Sequence, residues 1–489
     1  MKVYNTMTRS KEELVTRNPG EVRIYTCGPT VYSFIHIGNA RALVTFDILH
    51  RYLLARGFDV VYVQNFTDID DKMIRAAKVA NTSVKELADK YIAEYNTDAA
   101  GLNLLEPDHA PRATETMDTI LELIGTLISK GHAYQADDGV YFSVRSWPEY
   151  GKLSGYDLDD LQNEVREDLR STEGKRDPLD FVLWKNKRDD EPSWESPWGE
   201  GRPGWHIECS AMVHRYLDDV IDIHAGGLDL IFPHHENEIA QSEAASGEPF
   251  AKYWMHNGFV NIDHQKMSKS VGNFRTVREI AEHYSYNTMR YLLASSHYRS
   301  PMNFSEELLQ SSEASLQRIQ TAVNRLRFLL SDTDYDLSTK STVLPAAASS
   351  EVQETLKSFL DDYHEAMDDD LNTADALGTI FDLVRYTNRE LDPAADQANG
   401  NSNGDEKPIA PEDQIAALSL IVYMTDILGI QLNDEDAVPA EILEMVAQRT
   451  AAKAERDFAK ADSLRDRIAE AGYEVRDTPQ GSQVERLKQ

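Results

Sequence analysis

The sequence predicts an α/β protein: a Rossmann-type parallel-sheet domain with an inserted subdomain, followed by an all-α helical bundle and a small C-terminal domain. Three observations predict it. Residues 24–65 read strand, helix, strand (IYTC, HIGNARALVTFDILHRYLLARG, DVVYVQNF), a βαβ unit whose right-handed crossover makes its strands parallel. Residues 133–204 interrupt that pattern with a short strand signal (GVYFSV) and Trp/Pro clusters (EPSWESPWGEGRPG) before it resumes. From about residue 275 to 430 helix follows helix, with the strongest periodicity in FLDDYHEAMDDDLNTADALGTIFDLVRYTNREL. A chain of 489 residues suggests two to four domains. The divisions expected are 1–132 and 205–260 for the two halves of the sheet domain, 133–204 for the insert, 261–310 for a loop-bearing region, 311–434 for the bundle, and 435–489 for the last domain.

Taken in order, Ile24–Thr26 end a buried strand and Gly28 and Pro29 break it. A helix then spans residues 36–56, with Gly57 as its C′ stop. At such a corner free N–H groups and the helix dipole favour phosphate, and Cys27 lies beside it. After the second strand, Thr67-Asp68-Ile69-Asp70-Asp71-Lys72 falls where ligands bind at a parallel sheet. Thr67 and Asp68 also suit the N-cap of the helix KMIRAAKVA. Residues 85–132 are helical by pattern, WHIECSAMVHRYL predicts a helix, and VIDIHAGG predicts a strand and glycine turn. PHHENEIAQSEAAS predicts a helix opened by Pro233 at its first position. YWMHNGFVNI leads into the polar loop DHQKMSKSVGN. Residues 392–413, rich in Pro, Asn, Gly and Asp, predict a disordered linker; the last segment predicts two helices and a short strand.

Composition narrows the class. No apolar run approaches the ~20 residues of a membrane span, and the N-terminus does not read as a signal peptide. Two cysteines make no disulfide framework, so a cytoplasmic location without membrane attachment is expected. The 83 acidic and 50 basic residues give −33, which disfavours non-specific nucleic-acid binding and fits a high-salt cytoplasm or an ordinary acidic enzyme. The segment from Met445 onward is close to neutral, the local relief that an RNA contact needs.

Three sets of residues can carry chemistry. His234 and Glu238, four apart on a predicted helix, share a face. With the two cysteines, Cys27 and Cys209, they make a four-ligand zinc set, for which His235, His224 and His206 compete. Gly226-Gly227-Leu228-Asp229 follows a strand, where glycines admit a nucleotide and a carboxylate can take ribose hydroxyls. Lys266-Met267-Ser268-Lys269-Ser270 places two ammonium groups three apart, suited to a pyrophosphate leaving group.

Taken together, His36-Ile37-Gly38-Asn39 and Lys266–Ser270 resemble the paired signature of class I aminoacyl-tRNA synthetases. CGPTVYSFIHIGNAR, NFTDIDDK, RPGWHIECSAM, DIHAGGLDLIFPHHENEIAQSEA and NGFVNIDHQKMSKSVGN narrow the resemblance to the cysteinyl-tRNA synthetase family. It returns in DDDLNTADALGTIFDL and AERDFAKADSLRDRI, and so covers nearly the whole chain. The resemblance implies one zinc per subunit at Cys27, Cys209, His234 and Glu238, which selects His234 over His235. It implies ATP with Mg2+ at His36, Gly38, Asn39, Gly226, Gly227, Asp229, Lys266 and Lys269, of which His36, Asn39, Lys266 and Lys269 are catalytic. Cys27, Thr67, Trp205 and Asp229 are expected around L-cysteine, and tRNA(Cys) is the expected partner of a monomer. Region 261–310 would then carry the Lys266–Ser270 loop and contact the tRNA stem, and 435–489 would read the anticodon. Two departures stand out: Asn39 replaces a second histidine, and Ser482 follows Gly481 where family members often carry Trp. Rival readings are a ligase joining cysteine to an amino sugar, whose members lack the tail present here, and a silent zinc- and nucleotide-binding protein.

Overall fold

The computed structural model describes residues 1–157, 174–188, 191–262, 265–266, 274–331, 333, 348–393, 409–432, 440–454, 456–478 and 481–486. The chain divides into two units: Met1–Leu309 with Glu365–Ala374 and Ile427–Gly429, and Gln310–His364 with Asp375–Asp426 and Ile430–Gln489.

The first unit opens with a hairpin, β1 (Lys2–Asn5) and β2 (Ser10–Glu13). Its centre is the expected parallel sheet, in the order β10 (Ala251–Asn257), β9 (Ile221–Gly227), β3 (Glu21–Thr26), β4 (Asp59–Gln64). Strands β3 and β4 are joined over α1 (Ile37–Ala55), and Gly57 takes the left-handed conformation (φ +83°) that stops the helix. Helices α2 (Asp71–Ala80), α3 (Val84–Gly101) and α4 (Met117–Ser129) follow. The cap of α2 is Asp70, which accepts from the Met73 amide at 2.6 Å, and not Thr67 or Asp68. Those two are engaged elsewhere. The Thr67 main chain bridges to Thr30, and the Asp68 carboxylate accepts from Thr114 N at 3.0 Å and its hydroxyl at 2.6 Å.

The insert forms an antiparallel sheet of β5 (Ala133–Ala136), β6 (Gly139–Phe142), β7 (Phe181–Asn186) and β8 (Gly201–Pro203). Its buried side chains Val140, Phe142, Leu183 and Trp184 belong to the same core as Tyr25, Ile207, Met212 and Trp254, so it is anchored to the main sheet domain by apolar burial. Helix α5 (Trp205–Tyr216) precedes β9. Helix α6 (Glu236–Ser246) follows the turn Ile231–His235 directly. Within that turn only Phe232 is non-helical (φ −137°, ψ 131°), extended as a residue before proline prefers, so helical geometry starts at Pro233, as expected, and runs on into α6. A second small sheet orders β12 (Gln265–Lys266), β11 (Val260–Ile262) and β13 (Met302–Phe304). Thus α7 (Val277–Ala281) and α8 (Tyr286–Ala294) give way to a strand before the helical region: Met302 and Phe304 turn buried faces inward beside β11.

Helix α9 (Glu306–Leu329) passes into the second unit, where most of α10 (Ser350–Asp368), α11 (Thr373–Glu390) and α12 (Pro411–Ile427) lie. There Ile319, Val323, Leu356, Tyr363, Ile380, Leu383, Leu420 and Met424 are buried at helical spacing, and the Tyr363 hydroxyl donates to Met424 O at 2.9 Å. Helix α12 starts with Pro411 at its first position, so the expected 392–413 linker ends in a helix; residues 394–408 lie outside the described residues. The last segment packs α13 (Ala440–Ala454) and α14 (Phe458–Glu470) with a hairpin, β14 (Tyr473–Thr478) and β15 (Gly481–Arg486), two strands where one was expected. Ile442, Val446, Ile468, Val475 and Val484 give it a small core of its own. Among the described residues no helix is long and apolar enough to cross a membrane.

Candidate active site

Four elements deliver one ligand atom each to a point beyond the carboxyl ends of β3 and β9. Cys27 directly follows β3, Cys209 lies in α5, His234 in the turn before α6, and Glu238 in the first turn of α6. Cys27 Sγ is 3.9 Å from Cys209 Sγ and 3.5 Å from Glu238 Oε1; His234 Nε2 is 3.6 Å from Cys209 Sγ and 2.9 Å from Glu238 Oε1. A tetrahedral zinc with ordinary bond lengths sets edges of about 3.8 Å between sulfurs, about 3.6 Å between sulfur and nitrogen or oxygen, and about 3.3 Å between nitrogen and oxygen. The measured edges follow that order to within about half an ångström, so the donor set fits zinc in both chemistry and spacing. Cys209, His234 and Glu238 are buried and Cys27 is partly exposed, so the cluster opens at Cys27.

The competing histidines sort by contact. His206 Nδ1 lies 2.8 Å from His234 Nδ1, behind the ligand ring. His224 Nε2 lies 2.8 Å from Glu238 Oε2, and His235 Nε2 lies 3.3 Å from Cys27 Sγ. Cys27, His224, His235 and Glu238 therefore form a second group as close-set as the first, all their ligand atoms lying within 4.8 Å of one another. Trp205, at the start of α5, stacks on His234 with ring centres 4.2 Å apart. It stays 38% exposed, which makes it a wall at the mouth of the cluster.

The charges favour a cation. Burial opposes ionisation of Glu238, but His224 and His234 outweigh it and hold the carboxyl at about 2. Burial likewise disfavours charge on His234, yet Glu238 and Cys209 raise it to about 10. The hydrogen bond from Cys27 brings Cys209 down to about 6, whereas burial and the neighbouring Cys209 push Cys27 well up. Burial drives His206 and His235 far below the ordinary imidazole range and His256 to about 3, so these three are neutral.

The phosphate corner lies at the mouth of α1. His36 caps the helix: its ring accepts from Asn39 N at 3.1 Å, and Asn39 Oδ1 accepts from His36 N at 3.1 Å. This reciprocal cap uses the amide oxygen of Asn39 and leaves its Nδ2 as a donor, a physical reason for asparagine there. Gly28 has no room for a side chain, since a Cβ would stand 1.7 Å from Asn65 O. Its amide donates to Asn65 Oδ1 at 2.8 Å, and the chain ends after β3 and β4 meet at Thr30–Thr67, so Cys27 and Thr67 come from adjoining strand ends. Gly226 and Gly227 close β9 opposite His256 and Asn257, and the exposed Asp229 follows in a single turn. Gly38 is the second residue of α1. The Lys266 main chain pairs with Asn261 in the small sheet; Met267 to Asn273, including Lys269, lie outside the described residues.

Two features went unread in the sequence. Thr6 Oγ1 bonds His256 Nδ1 at 2.8 Å, and His256 Nε2 meets His235 Nδ1 at 2.9 Å, a relay that fixes the His235 ring. The polar ending HN after the buried run Tyr253-Trp254-Met255 of β10 is the signal that could have found it. Phe274 sets its ring edge-on to His36 at 4.9 Å, and Ile37 N bonds Arg275 O at 3.1 Å, tying the phosphate corner to the chain that follows residue 273. Nothing in the sequence pattern signals that pairing.

Comparison with known proteins bears on this arrangement. Residues 13–314 match the family model of the class I (C) tRNA synthetase catalytic domain, 362–433 the DALR domain, and 435–484 the cysteinyl-tRNA ligase anticodon binding domain. The cysteine–tRNA ligase of Caldicellulosiruptor saccharolyticus is 49% identical over 492 residues, covering 100% of both chains. The chain belongs to the cysteine–tRNA ligases. A cysteine–tRNA ligase is an aminoacyl-tRNA synthetase, with tRNA, ATP and an amino acid as substrates. Its fold is shared more widely. The Mycobacterium tuberculosis methionyl-tRNA synthetase, solved with methionyl-adenylate, superposes with a TM-score of 0.60 at 16% identity, over 84% of this chain and 90% of that one. The Agrobacterium radiobacter K84 LeuRS, in a ternary complex with tRNA and LeuAMS, gives 0.60 at 11% identity, over 84% of this chain and 85% of that one.

Proposed function

We propose that this cysteine–tRNA ligase is a cytoplasmic monomer that activates L-cysteine with ATP and Mg2+ and transfers it to tRNA(Cys). Its zinc would be held by Cys27, Cys209, His234 and Glu238. The observation that carries the reading is this set of two thiols, one imidazole and one carboxylate with near-tetrahedral edges, closed on all sides except at Cys27. Bound there, zinc supplies a Lewis acid that accepts a thiolate readily and a hydroxyl poorly. Size alone separates cysteine from serine or alanine by only about 10–200-fold, so a sulfur-selective group does the rest. Trp205, stacked on His234, walls the pocket, with Thr67 and Asp229 toward the amino-acid backbone. His36 and Asn39 hold ATP phosphates at the positive end of α1, and Gly38, Gly226 and Gly227 let the nucleotide approach the main chain. Lys266 and Lys269 stabilise the charge that builds on the departing pyrophosphate. Residues 435–489 read the anticodon, and that tail disfavours the amino-sugar ligase.

The test pairs elemental analysis with cysteine-dependent ATP–pyrophosphate exchange. The full chain is expected to carry about one zinc, and Cys209→Ser to lose metal and exchange together. Full exchange by a metal-free Cys209→Ser protein would remove the zinc reading.

A further inference from the structure

We propose that Asp370 is a positioning residue for adenylate formation: it fixes the segment 297–300, through which the phosphate corner of α1 and the small sheet carrying Lys266 keep their register. This rests on the placement of ATP proposed above. The starting observation is backbone strain. Asp370 (φ +67°) and Leu371 (φ +53°) are consecutive non-glycine residues in the left-handed region, in the turn between α10 and α11. Such a conformation persists only where its surroundings impose it. Here three consecutive aspartates tie the turn to elements of the first unit. Asp368 accepts from the Tyr52 hydroxyl at 2.7 Å and from Arg56 Nη1 at 2.8 Å, at the end of α1. Asp369 accepts from Lys11 Nζ of β2 at 2.8 Å. Asp370 is fully buried. Its Oδ1 accepts from Tyr4 N and the Tyr298 hydroxyl and its Oδ2 from Arg299 Nε, each at 2.7 Å.

Segment 297–300 carries that anchorage to the reaction. The carbonyls of His297, Tyr298 and Ser300 accept from Arg41 Nη2 at 3.2, 3.3 and 2.6 Å. Arg41 is buried in α1, two residues after Asn39, and among the described residues its Nε and Nη1 have no partner. Those carbonyls are therefore what anchors its guanidinium, and they set where the mouth of α1 stands. Tyr298 O also accepts from Gly258 N at 2.8 Å, just past β10. A Cβ on Gly258 would stand 2.6 Å from Ser300 O, so the two chains touch. The same segment leads into β13, which pairs with β11, and β11 pairs in turn with the main chain of Lys266 in β12. His36, Asn39 and Lys266 are thus referred to one stretch of chain, and Asp370 holds it by both Tyr298 and Arg299. A shift of about 1 Å there is enough to misalign reacting groups that it does not touch. None of the partners of Asp370 is Cys27, Cys209, His234 or Glu238, so the metal set should not feel the change.

The test is rapid-quench measurement of adenylate formation by the full chain at saturating ATP and L-cysteine, without tRNA. The rate constant reads the alignment of the site, and the burst amplitude counts folded sites. Asp370→Asn should lower the rate constant by about 10²-fold and leave the KM for L-cysteine in ATP–pyrophosphate exchange unchanged. Tyr298→Phe, the milder change that serves if Asp370→Asn does not fold, should lower it by about 10-fold. Arg41→Lys should slow the step as well, and adding it to Asp370→Asn should cost less than about twofold more, since both act through segment 297–300. Lys11→Ala, which breaks only the exposed pair with Asp369, should leave the rate constant unchanged. Rate constants within about twofold of the unaltered chain's in both Asp370→Asn and Tyr298→Phe overturn the proposal. A fall in amplitude alone would then make Asp370 a purely structural clamp. Additive losses from Arg41→Lys and Asp370→Asn overturn it too. His36→Ala separates this proposal from the reading beneath it. If that variant keeps the full rate, the ATP placement fails and the proposal with it; if it is slowed while Asp370→Asn is not, only the positioning role falls.

Discussion

Loading the Cys27–Cys209–His234–Glu238 set with zinc should release two protons. At pH 8 the metal-free set holds one proton on His234, raised to about 10, and one on Cys27, pushed well up. Cys209, at about 6, and Glu238, at about 2, are already ionised. The net charge is then −1. All four must be deprotonated to ligate, and three anions plus a dication again sum to −1. Two protons are thus exchanged for one metal ion with no change in buried charge. The sign follows: both raised groups must lose protons, so affinity climbs as pH rises. Between about pH 6 and pH 10 it climbs about 100-fold per unit, or about 2.7 kcal/mol. Below about pH 6 Cys209 also takes a proton, and the slope steepens to three. The assay is calorimetric titration of zinc into chelator-treated protein in buffers of different ionisation enthalpy, which returns the proton count directly. His234→Ala should lower the count from two to one, since Cys27 alone then gives up a proton. Release of no protons at pH 8, or a count unchanged in that variant, would refute the assignment of those protons.

Three further outcomes are expected. Lys269→Ala should slow adenylate formation by ~10²–10³-fold with little change in the KM for ATP, as single-turnover kinetics would register; an equal loss in KM would assign it to ground-state binding. Removing residues 435–489, which fold around their own core of Ile442, Val446, Ile468, Val475 and Val484, should spare ATP–pyrophosphate exchange and sharply reduce tRNA charging. Asp47→Asn should destabilise the first unit by about 3–5 kcal/mol in denaturant unfolding, because the buried carboxylate binds Arg290, Arg51 (2.8 Å) and Leu105 N (2.7 Å); Lys357→Ala, which breaks the exposed pair with Asp361, should cost about 0–1 kcal/mol in the same assay.

The βαβ unit was legible because strand and helix periods are local, and the stop at Gly57 is a local property of glycine. The zinc ligands were legible as residue types and, through the family motifs, as a set, but spacing could not show that Cys27 and Cys209 meet: 182 residues separate them. The entry to α6 was legible because a proline suits the first helical position and extends the residue before it, as Phe232 is extended. Thr67 and Asp68 were misassigned as a cap because their partners, Thr30 and Thr114, come from other segments. Arg449 belongs to the near-neutral tail, yet it is only 4% exposed, because period and charge do not reveal which face a short helix turns inward. The ring of histidines behind the ligands was visible as residues but not as an arrangement, since β9, β10, α5 and the turn before α6 each contribute one or two.

The central claim is that the metal set chooses cysteine through its sulfur. The most direct measurement is the visible spectrum of the protein loaded with one equivalent of Co2+, recorded as L-cysteine or L-serine is added without ATP. The account predicts that L-cysteine increases the thiolate-to-cobalt absorption, saturating at one equivalent, while L-serine leaves it unchanged. A spectrum unmoved by L-cysteine, or moved equally by both amino acids, would contradict it.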